Sequence, residues 1–267
     1  KMIYDCFIYF DEDMILDLRM NILNNHVDYF VIVESKYTHQ GDIKGKNFDM
    51  SKFRKFEDKI IYLYDEENFL REGGWQHEHE KYQRNLILKA LKNANQEDYI
   101  FISDLDEIPD PKKFNEIYKH KFCAFNQKVY YYKFNLQSLS EVNWYGTRCC
   151  KKKNISSPQK IRVQKIKNYP LWRFDKLFKK KFHIINDGGW HFTYMKSIED
   201  IIKKIKSFSH PEWNKTQYLN AKYLEEKILK GEDLFNRDMK YEKIDIKKIN
   251  FPEYLIKNYK KYSDWFL

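Results

Sequence analysis

Glycine and proline are scarce in this chain of 267 residues, at 8 and 6. That excludes collagen-like and low-complexity disordered polymers, which are built on those residues. Cysteine is sparse too. Cys6, Cys123, Cys149 and Cys150 match neither zinc-ligand pairs nor a disulfide framework, so reduced thiols in a cytoplasmic setting are expected. No apolar run is long enough to span a bilayer. Lys1 to Phe10 is too short, and too soon followed by charge, for a signal peptide. The Lys1-Met2 opening reads as a trimmed or tagged start. No internal repeat is visible. Gly-x-x-x-x-Gly-Lys-Ser/Thr and Gly-x-Gly-x-x-Gly are both missing, so P-loop and dinucleotide chemistry lack their usual phosphate cradle. Without Gly-x-Ser-x-Gly, a nucleophile-elbow hydrolase is disfavoured.

What is present is aromatic and basic. Aromatics make up 18%, with 21 Tyr and 20 Phe, and the formal net charge is +10. Residues 151–183 hold twelve Lys or Arg against the single acid Asp175. Such a run is ordinarily a solvated face, and it also suits an anionic ligand or an anionic membrane surface.

Apolar runs mark buried strands at Met2 to Phe10, Val27 to Glu34, Lys59 to Tyr64 and Tyr99 to Ile102. Between them lie a helix from Asp11 or Asp13 to about Asn24, with Met14, Leu18, Ile22 and Leu23 on one face, and a helix to about Ala94 carrying Tyr82, Leu86, Ala90 and Leu91. This alternation predicts an α/β fold: a Rossmann-like, mostly parallel central sheet flanked by helices. Beyond Pro109 the pattern predicts a helix to about His120 and one or two strands within Phe122 to Leu136. It also predicts a loop at Trp144 to Arg148, a short strand at Ile161-Arg162-Val163 and a helix from the Ser197-x-x-Asp200 cap to about Phe208. The remainder reads as a charged helical extension. With no Pro- or Ser-rich linker, residues 1–267 are read as one domain, divided into 1–120, 121–195 and 196–267.

The most informative stretch is Asp98-Tyr-Ile-Phe-Ile-Ser-Asp-Leu-Asp-Glu-Ile-Pro109, a buried strand ending in Asp104, Asp106 and Glu107. In open α/β sheets, ligands bind outside the carboxyl ends of strands. Clustered carboxylates are costly unless something positive lies among them, and Mg²⁺ is commonly held by one or two carboxylates plus substrate phosphates. A metal–diphosphate site is one reading. A solvated acidic turn that caps the next helix at Asp110-Pro111 is the other. The turn Asn186-Asp187-Gly188-Gly189-Trp190-His191 brings two glycines before Trp-His, which suggests backbone held close to a neighbour. His191 could complete a site opened by two Asp, although a lone His is more often structural. Arg84 could bind a phosphate, or pair with Glu80 one helical turn earlier. Trp75, Trp144, Tyr145 and Trp190 could stack on a sugar ring, or simply belong to the core.

Taken in order, Trp75…Gln83-Arg84-Asn85, Ser-Asp-Leu-Asp-Glu-Ile-Pro and Gly-Gly-Trp-His resemble glycosyltransferase family 17. The opening Ile3-Tyr-Asp-Cys-Phe-Ile-Tyr-Phe10, the strand Val27 to Glu34 and the tail Tyr254-Leu-Ile-Lys-Asn-Tyr259 carry the same likeness across nearly the whole chain. The resemblance implies a type-A glycosyltransferase fold, a UDP-sugar donor, a divalent ion (Mn²⁺ or Mg²⁺) and inversion at the anomeric carbon. Its Asp-x-Asp-Glu pattern falls on Asp104, Asp106 and Glu107 and its Gly-Trp-His on Gly189, Trp190 and His191. On that footing Asp104, Asp106 and His191 are the expected metal ligands, and Glu34, Arg84, Asn85, Asp104 and Trp190 are expected at the nucleotide sugar. Asp187 is the candidate base, with Glu141 behind it. The acceptor is expected to be a glycan or lipid-linked saccharide, and the setting cytoplasmic, peripheral at the inner membrane face. The competing expectation is a non-catalytic polyanion- or nucleic-acid-binding protein using residues 151–183. It lacks any recognised nucleic-acid motif, so no nucleic-acid partner is expected.

Overall fold

The computed structural model describes residues 1–38, 42–67, 76–166, 181–207, 219–234 and 237–267. The chain forms two compact units, Lys1–Gln127 with Tyr145–Gly189, and Lys128–Trp144 with Trp190–Leu267.

In the first unit the apolar runs become β1 (Ile3–Ile8), β2 (Tyr29–Ser35), β3 (Ile60–Asp65) and β4 (Tyr99–Ile102). Helices α1 (Asp13–Leu23), α2 (Gln76–Asn85) and α3 (Ile87–Ala90) alternate with them. β1 pairs in parallel with both β2 and β4, and β3 pairs in parallel with β2. The order β3-β2-β1-β4 is therefore that of a doubly wound sheet, and strand order reverses between β1 and β4. Cys6 of β1 sits opposite Ile102, the last residue of β4. Continuous apolar composition suits these strands because both faces are covered: β4 and most of β1 and β2 are fully buried. One face packs Cys6, Val31, Val33, Ile100 and Ile102 against Leu86, Ile87 and Leu91 of the α2–α3 stretch.

After β4 come β5 (Glu107–Pro109) and 3₁₀ turns over Pro111–Lys119 in place of the expected α-helix. Asp110 accepts the Lys112 N–H at 3.0 Å, so the Asp-Pro start acts as read while the following residues tighten. β6 (Phe122–Tyr131) passes from the first unit into the second after Gln127, and β7 (Leu136–Ser138) follows.

Two local readings are corrected. Trp144 to Arg148 is not a loop but part of β8 (Trp144–Lys151), antiparallel to β4. Gly146 leaves room within it for the Gln127 side chain, whose Oε1 a Cβ there would displace. Ile161-Arg162-Val163 is not a strand but the end of α4 (Pro158–Val163), capped by the Ser157 hydroxyl, which accepts from the Lys160 N–H at 3.2 Å, with Pro158 in its first turn.

β9 (His183–Ile185) pairs in parallel with β6 at Cys123 to Phe125. In the second unit β10 (Gly189–Thr193) runs parallel to β6, Trp190 opposite Lys128 and His191 opposite Val129. The segment after 196 is not wholly helical. It holds α5 (Ile198–Ser207), α6 (Ala221–Leu229), β11 (Tyr241–Lys243) and α7 (Glu253–Lys257), and β11 is antiparallel to β7. The Ser197–Asp200 capping pair forms: the Asp200 N–H donates to the Ser197 hydroxyl at 3.1 Å. Ile201 packs there with Val129, Leu136, Leu224 and Ile228. Among the described residues, no helix is long and apolar enough to cross a membrane. All four cysteines are buried, and none is in a disulfide.

Candidate functional site

Immediately after β4 the backbone turns through Ser103, Asp104, Leu105, Asp106 and Glu107, and a buried arginine holds the turn. Arg19 lies on α1, on the helix face expected to pack aliphatic side chains alone, and its side chain is fully buried. Its Nε and Nη2 donate to Asp5 at 2.7 and 2.6 Å. Nη2 also donates to the Ser103 hydroxyl at 2.6 Å, and Nη1 to the carbonyls of Asp104, Leu105 and Glu107 at 3.2, 3.0 and 2.7 Å. One guanidinium thus ties β1 to three carbonyls of the acidic turn. Sequence reading passed over Arg19 because a lone charge in an amphipathic helix is ordinarily solvated.

The acidic side chains meet two more arginines. Arg84 of α2 donates to Asp104 Oδ1 at 2.7 Å, and to Glu80 at 2.9 Å. Arg162 of α4 donates to Asp104 Oδ2 at 2.9 Å and to Glu107 Oε1 at 2.5 Å. Glu107 is fully buried, and its other oxygen accepts the Asp104 N–H at 2.9 Å. The Asp104 side chain is 41% exposed. Burial works to raise its pKa, but Arg162 and Arg84 outweigh burial and hold the carboxyl well below the usual carboxylate range. For Arg162 burial acts downward, and Asp104 and Glu107 together raise it above the ordinary guanidinium range. Asp106 is half-buried on the same turn, and its charge also supports Arg162. The Arg84–Glu80 pair expected one helical turn apart is present beside the Asp104 contact.

The remaining expected site residues are distributed as follows. Asn85 accepts the Ser157 hydroxyl at 2.8 Å and the Gln159 N–H at 3.2 Å, which ties α2 to the start of the helix that carries Arg162. Glu34 is fully buried and spends its oxygens on Lys44, the Asn47 and Phe48 N–H groups and the Tyr62 hydroxyl, at 2.5, 2.7, 3.0 and 2.8 Å. It closes the 44–48 loop, and no oxygen is left for a uridine. Trp190 is 3% exposed, with its indole N–H donating to the Asn250 carbonyl at 3.1 Å. That ring is packing, not a platform. Asp187 is exposed on the turn before β10, with φ +47°. His191, in the second unit, is buried and stacked on Trp144 at 4.6 Å between ring centres. Glu141 belongs to that unit also; its Oε2 is buried without a hydrogen-bond partner among the described residues. Trp75 lies outside the described residues.

Gly188 and Gly189 do bring backbone close to a neighbour. Gly189 has φ +138°, and a Cβ there would strike the Ile108 carbonyl of β5, immediately behind the acidic turn.

As arranged, the carboxylates do not fit a divalent ion. Asp104 commits both oxygens to arginines, so a cation could join it only by displacing one. Among the described residues, no group of three or more His, Cys, Asp or Glu stands together to hold a metal. Asp104 and Asp106 lie in the first unit and His191 in the second. What the cluster offers chemically is a set of guanidinium groups at the switch point of a parallel sheet, where anionic ligands bind. Of the described part of the basic run, Arg162 joins this cluster and the three lysines at its start bond elsewhere. Lys151 and Lys153 pair with Glu97, Lys152 donates to the carbonyls of Leu91 and Ala94, and Arg162 serves the acidic turn. Residues 167–180 of that run lie outside the described residues.

The sequence model of glycosyltransferase family 17 matches residues 1–266. The chain is similar to the beta-1,4-mannosyl-glycoprotein 4-beta-N-acetylglucosaminyltransferase of Rattus norvegicus, 24% identical over 278 residues, which cover 93% of this chain and 51% of the rat protein. The Homo sapiens enzyme of that name is likewise 24% identical, over 93% of this chain and 52% of its own length. The Mus musculus enzyme is 23% identical, over 93% and 51%. The chain spans about half the length of these relatives.

Proposed function

The chain belongs to glycosyltransferase family 17, and from that premise we propose that it moves a sugar, N-acetylglucosamine or a related hexose, from a UDP-sugar to a glycan or lipid-linked saccharide acceptor. Synthesis of surface polysaccharide or glycoconjugate is the setting that suits such a product. One observation carries the reading: Arg84 and Arg162 converge on the acidic turn at the carboxyl end of β4, beside the strand-order reversal. An inverting transfer needs charge stabilisation on the departing UDP and a base that takes the acceptor hydroxyl proton in line with that departure. Arg84 and Arg162 suit the first task, because guanidinium groups match phosphate oxygens and stay charged at any working pH.

Asp187 and Glu141 are the candidate bases. Glu141 has the stronger chemical case, with one buried oxygen unpartnered among the described residues. It also lies against Tyr131, whose phenol is raised by burial and then by Glu141. Asp187 is exposed, on the turn before β10.

The test is UDP release from a panel of UDP-sugars with oligosaccharide acceptors, in wild type, Arg162→Gln, Glu141→Gln and Asp187→Asn. The expected result is turnover that Arg162→Gln lowers by about a hundredfold, as for loss of one preorganised charge-stabilising donor. The variant of the true base should be impaired in turnover with substrate binding unchanged. Running the panel in EDTA and in Mn²⁺ or Mg²⁺ measures metal dependence independently of the residues. Absence of UDP release and of thermal stabilisation by any nucleotide sugar would end the proposal. In the described part of 151–183, Lys151, Lys152, Lys153 and Arg162 have internal partners, while Lys160, Lys165 and Lys181 are exposed, so a polyanion would have three described lysines to meet.

A further inference from the structure

A fourth arginine borders the acidic turn, with no task in the proposed transfer. Arg148 of β8 lies opposite Ile102, the last residue of β4 and two positions before Asp104. It is 5% exposed, and its Nε and Nη1 are buried without a hydrogen-bond partner among the described residues. The ring of Phe182 covers the guanidinium, 5.2 Å from its centre. Its charged neighbours are Arg162, which repels it, and Glu107, which attracts it. Glu107 already accepts from Arg162 and from the Asp104 N–H.

A buried guanidinium with idle donors is costly on two counts. Each unpaired N–H forfeits its hydration, and the charge is desolvated with only a shared carboxylate to offset it. Arg84 and Arg162 solve the same problem by direct contact with Asp104, whereas Arg148 makes no such contact. Burial, with the charge of Arg162 added, pushes Arg148 down to about 10. Cationic side chains crowded this way are relieved by an anion that accepts from several donors at once, and phosphate oxygens do so readily. The position fits as well, since phosphates are bound at the carboxyl ends of parallel strands beside the reversal of strand order.

We infer that Arg148 is a ligand for the diphosphate of the donor, its unpartnered N–H groups donating to phosphate oxygens while Phe182 covers the face of the guanidinium. This rests on the proposal of a nucleotide-sugar donor and assigns to it a residue beyond Arg84 and Arg162. Removing Arg148 should therefore weaken recognition of the phosphates and leave recognition of the nucleoside untouched.

The experiment is calorimetric titration of the full chain with UDP, uridine and inorganic pyrophosphate, in wild type, Arg148→Gln and Arg148→Lys, at one fixed Mn²⁺ and salt concentration. Arg148→Gln is expected to weaken UDP and pyrophosphate roughly tenfold or more, the scale of one lost hydrogen-bonded charge, with uridine unchanged. Arg148→Lys keeps the charge but not the planar donor set, and should bind with intermediate affinity. It also carries the test if Arg148→Gln does not fold. If both variants bind UDP and pyrophosphate as wild type does, the inference is overturned while the nucleotide-sugar reading stands. If wild type binds pyrophosphate in an Arg148-dependent way but neither UDP nor any UDP-sugar, the anion site stands and the nucleotide-sugar reading falls. Failure of wild type to bind either phosphate ligand overturns both.

Discussion

Replacing Arg19 by Met removes a side chain that joins β1 to the acidic turn through six hydrogen bonds, two to Asp5, one to Ser103 and three to the carbonyls of Asp104, Leu105 and Glu107. Both members of the Arg19–Asp5 pair are fully buried, so solvent does not screen them. Breaking a buried pair by deleting one partner costs about 3–5 kcal/mol, because the other charge stays behind without compensation. Each carbonyl left without its donor adds about 1–3 kcal/mol where water cannot reach it. These terms overlap and do not add, so the expectation is a loss of about 4 kcal/mol or more. That is a large share of the roughly 5–15 kcal/mol that holds a typical domain.

The assay is urea unfolding followed by far-ultraviolet circular dichroism, with amide exchange read at residues 104–107 under native conditions. Faster exchange on the turn should accompany the lower midpoint, because the turn's carbonyls lose their shared donor. A double variant, Asp5→Asn with Arg19→Met, removes the stranded charge and should be less destabilised than Arg19→Met alone. A loss below about 1 kcal/mol for Arg19→Met would refute the claim that this residue holds the turn, being no more than an ordinary surface pair is worth. So would a double variant weaker than the single one, because the main penalty would then not be the unpaired Asp5 carboxylate.

Two further outcomes follow from the same region. Gly189→Ala meets the Ile108 carbonyl and a backbone conformation that side chains rarely adopt, so it should lower stability by about 1–3 kcal/mol, read by thermal melting; an unchanged melting temperature would show that β5 can move aside. The Asp104 carboxyl is held below its ordinary range by Arg162 and Arg84 against the effect of burial, so the native state binds fewer protons there than the unfolded chain. Its contribution is present above the ordinary carboxylate pKa of about 4 and is lost as pH falls below it. Urea midpoints between pH 3 and 7 should therefore rise less steeply for Asp104→Asn than for wild type, and parallel curves would contradict the pairing.

The parallel strands of the first unit were legible because burial on both faces demands apolar runs: β2 and β4 have them, β1 has one broken by Asp5, and the half-buried edge strand β3 is apolar over Ile60 to Tyr64. Caps were legible where a short polar side chain precedes a helix, as at Ser197 and Asp110. The same signal stood at Ser157-Pro158, where a β-branched run drew the eye to a strand instead. β8 was missed because Gly146 reads as a loop residue, and only the nearness of Gln127 shows what a glycine leaves room for within the strand. Glu34 and Trp190 look functional in sequence since acids at strand ends and Trp in Gly-rich turns often are. Their hydrogen bonds to the 44–48 loop and to Asn250 show them holding structure.

The acidic turn itself was read from sequence alone: a buried strand followed by Asp104, Asp106 and Glu107 needs counter-charge wherever it is placed. Which groups supply that charge was a tertiary decision. Arg19, Arg84, Arg148 and Arg162 come from α1, α2, β8 and α4, and lie up to 143 residues apart in sequence (162 − 19). Local periodicity describes only which face of an element is apolar, and it treats each arginine as solvated. Their convergence on one turn arises from the β3-β2-β1-β4 order and from β8 lying antiparallel beside β4, pairings between distant segments that no local pattern encodes.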